Sequence, residues 1–266
     1  MKINKEATLI RKILVPYVKA WNLFFDISLP ISNTIQSESG TSNKNDSEVL
    51  YFIPVIGLTL GLFAYILSWF VSIAGGVLLA SIICPFIIVL VWESLNHAKD
   101  TSSLVKIIYF KIFKHYNDDS VSNDTKEINF MYFYIFAAIF IIRILCIGIF
   151  IYHNSLGWII VTTVLTYSVQ AHVATEQKNN SNYALISADK KSIIIMWIIA
   201  GIFCFVFGAV FFPSMILAFI VAVLIAVKAK NQLEKNNSLS GISVGFTGKY
   251  TELIILLLGL VFGYNL

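Results

Sequence analysis

The chain is expected to be all-α: a polytopic transmembrane helix bundle of about seven spans with an N-terminal interfacial helix. Two observations predict this. Apolar stretches occupy residues 49–74, 76–92, 128–152, 156–174, 192–212, 214–227 and 253–266, and the connections between them alternate between charged and bare. A helix needs about 20 apolar residues to cross a bilayer. Residues 49–92 contain 44 positions without one charge, enough for two crossings that turn at Gly75–Gly76. The stretches lack the alternation of a barrel, and a backbone in lipid must satisfy itself, so helices are expected. Charged residues make up 13% of the chain and hydrophobic ones 58%, about half the charge of a soluble domain.

The basic residues set the orientation. Segment 1–48 carries six Lys and Arg, segment 93–127 five, segment 175–191 three and segment 228–249 four, while the intervening turns carry none. The side richer in Lys and Arg stays inside. The N-terminus and the charged connections are therefore expected on the cytoplasmic side of a cell inner membrane. The opening residues are charged and no small-residue cleavage site follows an apolar core, so no removable signal peptide is expected. The net charge of +4 does not indicate nucleic acid, because acidic residues share the same loops. Membrane lipid is the expected partner of the basic excess.

The chain divides into segment 1–48, an interfacial helix with a mobile cytoplasmic loop, and segment 49–266, the transmembrane domain. Residues 7–25 place Leu9, Ile10, Ile13, Leu14, Tyr17, Val18 and Trp21 on one helical face, with Pro16 expected to interrupt it. Residues 31–48 are rich in Ser and Asn and read as the mobile loop. Segment 93–127 is the longest charged connection, and its centre, 104–113, has the apolar stripe of a helix lying at the headgroups. Cys84, Cys146 and Cys204 lie in apolar stretches without CxxC spacing, which suits packing rather than metal or disulfide chemistry.

Polar residues at the cytoplasmic ends are the candidates for chemistry. Glu93, His97 and Asp100 follow the second span, where polar residues also simply solvate a helix exit. Asp118, Asp119 and Asp124 suit turn and N-cap roles as well as phosphate or metal contact. Glu252 opens the last apolar stretch, where a carboxylate also suits a helix N-terminus. Arg143 is the lone charge well inside a span, either functional or snorkelling outward. Gln170 and His172 suit the active side or a hydrogen bond within the bundle. Asn179–Asn182 read as loop solvation.

Three segments together resemble the cobalamin synthase family, the adenosylcobinamide-GDP ribazoletransferases. Residues 21–30 (WNLFFDISLP) and 51–62 (YFIPVIGLTLGL) are similar to the family's F-L-T-R-I-P and Y-F-P-L-V-G-L-L-I-G-L. Residues 123–148 resemble its D-S-R-x-G segment leading into a span, with Asp124 and Lys126 on the Asp and Arg. Residues 240–258 (SGISVGFTGKYTELIILLL) are similar to its G-D-x-x-G-x-x-x-E-x-x-E, with Gly241, Gly245 and Glu252 matching. The family's metal signature, H-x-D-G-x-x-D-x-x-D-G, corresponds to residues 93–103 (ESLNHAKDTSS). Asn96, Asp100 and Ser103 stand at its three Asp positions and Ser94 at its His. Ile242 stands at the C-terminal Asp, Lys249 at the first Glu, and Ser28 at the Arg of the opening motif.

The resemblance implies a transferase of the last steps of cobalamin biosynthesis. A ribazole hydroxyl attacks the pyrophosphate of adenosylcobinamide-GDP and GMP leaves, with Mg²⁺ neutralising phosphate charge. It implies catalytic roles for Asp124, Lys126 and Glu252, metal ligation by Glu93, Asn96 and Asp100, and an amphiphilic corrinoid or nucleotide-linked substrate. Spacing i, i+4, i+7 puts Asn96, Asp100 and Ser103 on one helical face, with Glu93 one turn earlier. Three other readings stand beside this one. A non-catalytic paralogue serving as a membrane assembly or regulatory subunit would explain the missing acids. Another Mg²⁺-dependent membrane prenyl- or phosphatidyl-transferase would need paired Asp-rich motifs. A transporter would need ionisable residues along the spans. A homo-oligomer is compatible with each.

Overall fold

A computed structural model describes residues 2–25, 46–113, 125–176, 186–235 and 241–263. The helices among these residues are α1 (Lys2–Phe24), α2 (Asp46–Leu95), α3 (Lys99–Phe113), α4 (Thr125–Tyr152), α5 (Gly157–Ala174), α6 (Lys190–Gly208), α7 (Phe212–Lys235) and α8 (Gly241–Phe262). A 3-10 turn, Ala209–Phe211, joins α6 to α7. Two-residue strands β1 (Thr175–Glu176) and β2 (Ile186–Ser187) pair in parallel beyond α5. Most of residues 31–48, with Ser28, Asp118, Asp119, Asp124 and Asn179–Asn182, lie outside the described residues.

Among the described residues five helices are long and apolar enough to cross a membrane: Glu48–Leu95, Phe130–Tyr152, Lys190–Gly208, Phe212–Lys235 and Ile242–Phe262. The first consists of two legs. Gly76 has φ 84° and ψ 161°, which ends one leg and starts the next at a residue without the steric penalty of a side chain. The legs fold back on each other, and the Cys84 thiol reaches the Leu67 carbonyl at 4.0 Å. The charge-free stretch therefore turns where its Gly pair predicts.

At the centre stands α5, with 16 of its 18 residues buried. The first leg of α2 meets it backbone to backbone. A Cβ on Gly57 would lie 2.7 Å from the Thr163 carbonyl oxygen, and one on Gly61 2.7 Å from the Ile160 Cα. This is the small-xxx-small device of membrane helix packing. The buried hydroxyls of Thr162 and Ser168 donate to carbonyls one turn back, Trp158 and Val164, which satisfies them without another helix. Around α5 pack α2, α6, α7 and α8. Cys84, Cys146 and Cys204 are free and buried among these helices, as packing residues should be.

Three local expectations change. Pro16 does not interrupt α1, which runs through it and docks Phe24 and Phe25 on Tyr167 of α5. The helix expected at 104–113 begins earlier, at Lys99, and packs Leu104 and Val105 against Ile139, Phe246 and Leu253. The last helix begins at Gly241, twelve residues before the apolar stretch that announces it. Its first turns lie against α3 and α5, and a segment covered by protein has no need to be apolar. Glu252 is consequently mid-helix and caps nothing.

Candidate functional site

The turn between α2 and α3 builds the site. Ala98 N–H donates to the Glu93 carbonyl at 2.8 Å and His97 N–H to the Ser94 carbonyl at 3.4 Å. With His97 at φ 49°, this is a Schellman ending carried by His where Gly is usual. Asn96, Asp100 and Ser103 therefore do not share one continuous helix, as their spacing predicts. They meet across a chain reversal instead, and the Asn96 side-chain amide donates to Asp100 Oδ2 at 3.1 Å. His97 lies exposed on the turn.

Behind the turn is a buried ion-pair cluster. Glu93 Oε1 accepts from Thr101 Oγ1 at 2.8 Å, from Lys249 Nζ at 3.0 Å and from Arg143 Nη1. Glu252 Oε1 accepts from Arg143 Nε at 2.6 Å, and its Oε2 from Lys249 Nζ at 2.8 Å. Four side chains from α2, α4 and α8 thus alternate in charge, and each is at most 7% exposed. The Arg143 guanidinium also lies 5.9 Å from the Trp92 ring centre, a cation–π distance. Arg143 points into the bundle and does not snorkel outward.

Asp100 stands at the front of this cluster. Its Oδ2 takes a second hydrogen bond from the Gln170 side-chain amide of α5, at 2.7 Å. Burial pushes its carboxyl above the ordinary aspartate range; Lys249 and the Gln170 hydrogen bond pull it back, while Glu93 and Glu252 push it further up. Two glycines of α8 make room for these contacts. A Cβ on Gly245 would lie 2.7 Å from Asp100 Oδ1, and one on Gly248 2.0 Å from Gln170 Nε2.

Two cavities meet at Asn96 and Asp100. The inner one, of about 20 Å³, is lined by Arg143, Thr166, Lys249 and Glu252 among others and is the size of one water molecule. Arg143 Nη2, Asn96 Oδ1 and Thr166 Oγ1 line it and have no hydrogen-bond partner among the described residues. The outer one is a vestibule of about 430 Å³, within the usual size of a small-molecule pocket. Its walls are mixed: Lys99, Lys106 and Ser103 on one side, Leu23, Phe24 and Ile242 on another.

Of the residues read as metal ligands, Asn96 and Asp100 line both cavities, whereas Glu93 lines neither. Glu252 lines the inner cavity, but both its oxygens already accept from cations. Among the described residues no group of three His, Cys, Asp or Glu could hold a metal ion. This donor set does not fit Mg²⁺: two fixed cations already neutralise the carboxylates a dication would use, and would repel it. Of the residues read as catalytic, Glu252 is in the cluster. Asp124 lies outside the described residues, and so does the side chain of Lys126 on α4.

Arg143, Lys249, Gln170 and Thr101 complete the site. An intramembrane Arg needs a buried partner, and a Lys three residues before a Glu on one helix can reach it; these two signals point to the cluster. Nothing comparable marks Thr101. His172 belongs to a separate contact, accepting at Nδ1 from Trp197 Nε1 at 2.8 Å, which is the bundle hydrogen bond that its position suits. No family model, no curated protein and no solved structure matches the chain.

Proposed function

We propose that the chain is a cobalamin synthase-like membrane transferase, of the adenosylcobinamide-GDP ribazoletransferase type, with its site in the vestibule. The observation that carries this reading is convergence. The segments that bear the resemblance are far apart in sequence, yet the vestibule draws Phe24 from the first and Val244 and Gly245 from the last, and they meet there Asn96, Asp100 and Ser103, which stand at the positions of the family's metal signature. The remaining segment, residues 123–148, contributes Arg143 to the cluster behind it. Scattered resemblance without a site gives no reason for such a meeting.

The chemistry suits the walls. Lys99 and Lys106 offer charge to phosphate oxygens, and Leu23, Phe24 and Ile242 offer an apolar bed to an amphiphilic, corrinoid-type substrate. In the transfer, a hydroxyl oxygen of the ribazole forms a bond to phosphorus. The phosphorus–oxygen bond to GMP breaks, GMP leaves with the electron pair, and Asp100 is placed to take the hydroxyl proton. We further propose seven crossings: the two legs of α2, then α4 to α8 in turn. The N-terminus and the vestibule then face the cytoplasm, in agreement with the Lys and Arg of the connections.

Lys249, standing at a family Glu, favours a second reading. It engages Glu252, a surviving family acid, together with Glu93, as in a paralogue that keeps the scaffold and serves as a non-catalytic membrane subunit. Complementation separates the two. A bacterial strain lacking cobalamin synthase is fed cobinamide and a lower-ligand base and given the parent, Asp100→Ala or Lys106→Glu at matched membrane levels. The transferase reading expects growth with the parent and loss of growth with both variants. No growth with a parent present at normal membrane level overturns it in favour of the non-catalytic reading.

A further inference from the structure

We infer that this site uses a fixed ammonium–guanidinium pair where a divalent metal ion would sit, so that an anionic ligand enters the vestibule without a metal. The inference rests on the proposed reading of the vestibule as the ligand site and goes beyond it in naming what occupies the place of a metal ion there. Lys249 Nζ bridges carboxylates of two different helices, 3.0 Å from Glu93 Oε1 and 2.8 Å from Glu252 Oε2. Bridging two carboxylates is what a metal ion does in such a place. Arg143 holds the same two carboxylates through Nη1 and Nε.

Charge closes the position. Two carboxylates face two cations, so the cluster has no net negative charge with which to attract a dication. Inserting one would leave two surplus positive charges in a buried setting, where their repulsion is poorly screened. Asp100, the remaining acid, gives one oxygen to the amides of Asn96 and Gln170. Its other oxygen lies where a Cβ on Gly245 would come within 2.7 Å of it. Lys106 brings a positive charge to the vestibule wall.

Mn²⁺ alone is the probe, titrated into the purified full chain in detergent and followed by electron paramagnetic resonance. The parent and Asp100→Asn are expected to give superimposable titrations. Lys249→Ala is expected to gain a saturable Mn²⁺, because it leaves two carboxylates against the Arg143 guanidinium alone and so gives the cluster a net negative charge. A saturable Mn²⁺ in the parent that Asp100→Asn loses would overturn the inference. So would a Lys249→Ala protein that unfolds cooperatively yet gains no Mn²⁺. Should Lys249→Ala not fold, the comparison of parent with Asp100→Asn carries the test by itself. None of these arms reads transfer activity. A chain that complements but holds Mn²⁺ through Asp100 keeps the transferase and loses this inference, and one that fails to complement and holds no Mn²⁺ does the reverse.

Discussion

Helices α5 and α6 are nearly equal in length and lie side by side, yet they are built on opposite plans. In α5, 16 of 18 residues are buried, among them three Thr, one Ser and a Gln. In α6 five of 19 are buried, namely Ser192, Met196, Ala200, Cys204 and Gly208, a stripe of mostly small residues at four-residue spacing. Its large residues, such as Ile194, Ile198, Ile202 and Phe205, point outward. A soluble protein would put the large apolar residues inside. Here the outer face meets lipid, which is as apolar as any core, so inner faces are selected for close approach and for polar contacts. The polar helix is the enclosed one, and it lends Gln170 to the site.

The largest expected effect comes from breaking the enclosed side at its charge cluster. Arg143→Met leaves Glu93 and Glu252 to share Lys249 alone, and removing one partner of a buried ion pair costs about 3–5 kcal/mol. Thermal or denaturant unfolding in detergent would measure it. Next come two glycines that sharpen the comparison. Gly61→Ala drives a methyl group against α5, where overpacking costs about 1–3 kcal/mol. In α6, a Cβ on Gly201 meets only the Phe219 ring, at 3.5 Å, so Gly201→Ala should be neutral or gain up to about 1 kcal/mol from helix propensity. Similar losses at both glycines would break the comparison. Ile198→Ala on the outer face of α6 should change stability by no more than about 0.5 kcal/mol.

The smallest effect is a pH dependence at Asp100. Its folded-state pKa is raised above the ordinary 3.8, so between the two values the native chain keeps a proton that the unfolded chain has released. Stability contributed by the protonated form is complete below 3.8 and is lost as pH climbs through the raised value. Asp100→Asn removes that slope. Its stability relative to the parent should rise with pH across this window, as melting scans at several pH values would show; a constant difference would contradict the assigned burial.

The sequence made the bundle legible wherever lipid selects for apolarity. The hairpin at Gly75–Gly76, the span at α4 and the outward faces of α6 and α7 all follow from runs of large apolar residues. Legibility fails where protein replaces lipid as the neighbour. Residues 241–251 look like a loop because they are small and polar, yet they form half of α8, held by α3 and α5. Within the site, Asn96, Asp100 and Glu252 are readable as polar residues at span ends. The route that joins the first two is not, because a left-handed His97 is invisible to a helical-spacing rule. Lys249 reads as a departure from a family pattern, whereas its meaning lies in Glu93, 156 residues away. A long-range ion pair leaves no local signature, and the clues are Arg143, a charge inside an apolar span that must have partners, and the spacing of Lys249 and Glu252.

The central claim is that distant segments close on one another through this buried cluster, and a double-mutant cycle between Glu93 and Lys249 tests it most directly. Glu93→Gln, Lys249→Met and the double variant would be unfolded under one set of conditions in detergent. Coupling of about 1–3 kcal/mol, with the double variant far less destabilised than the sum of the two, is the predicted result. Single effects that simply add would contradict the cluster, and with it the site built in front of it.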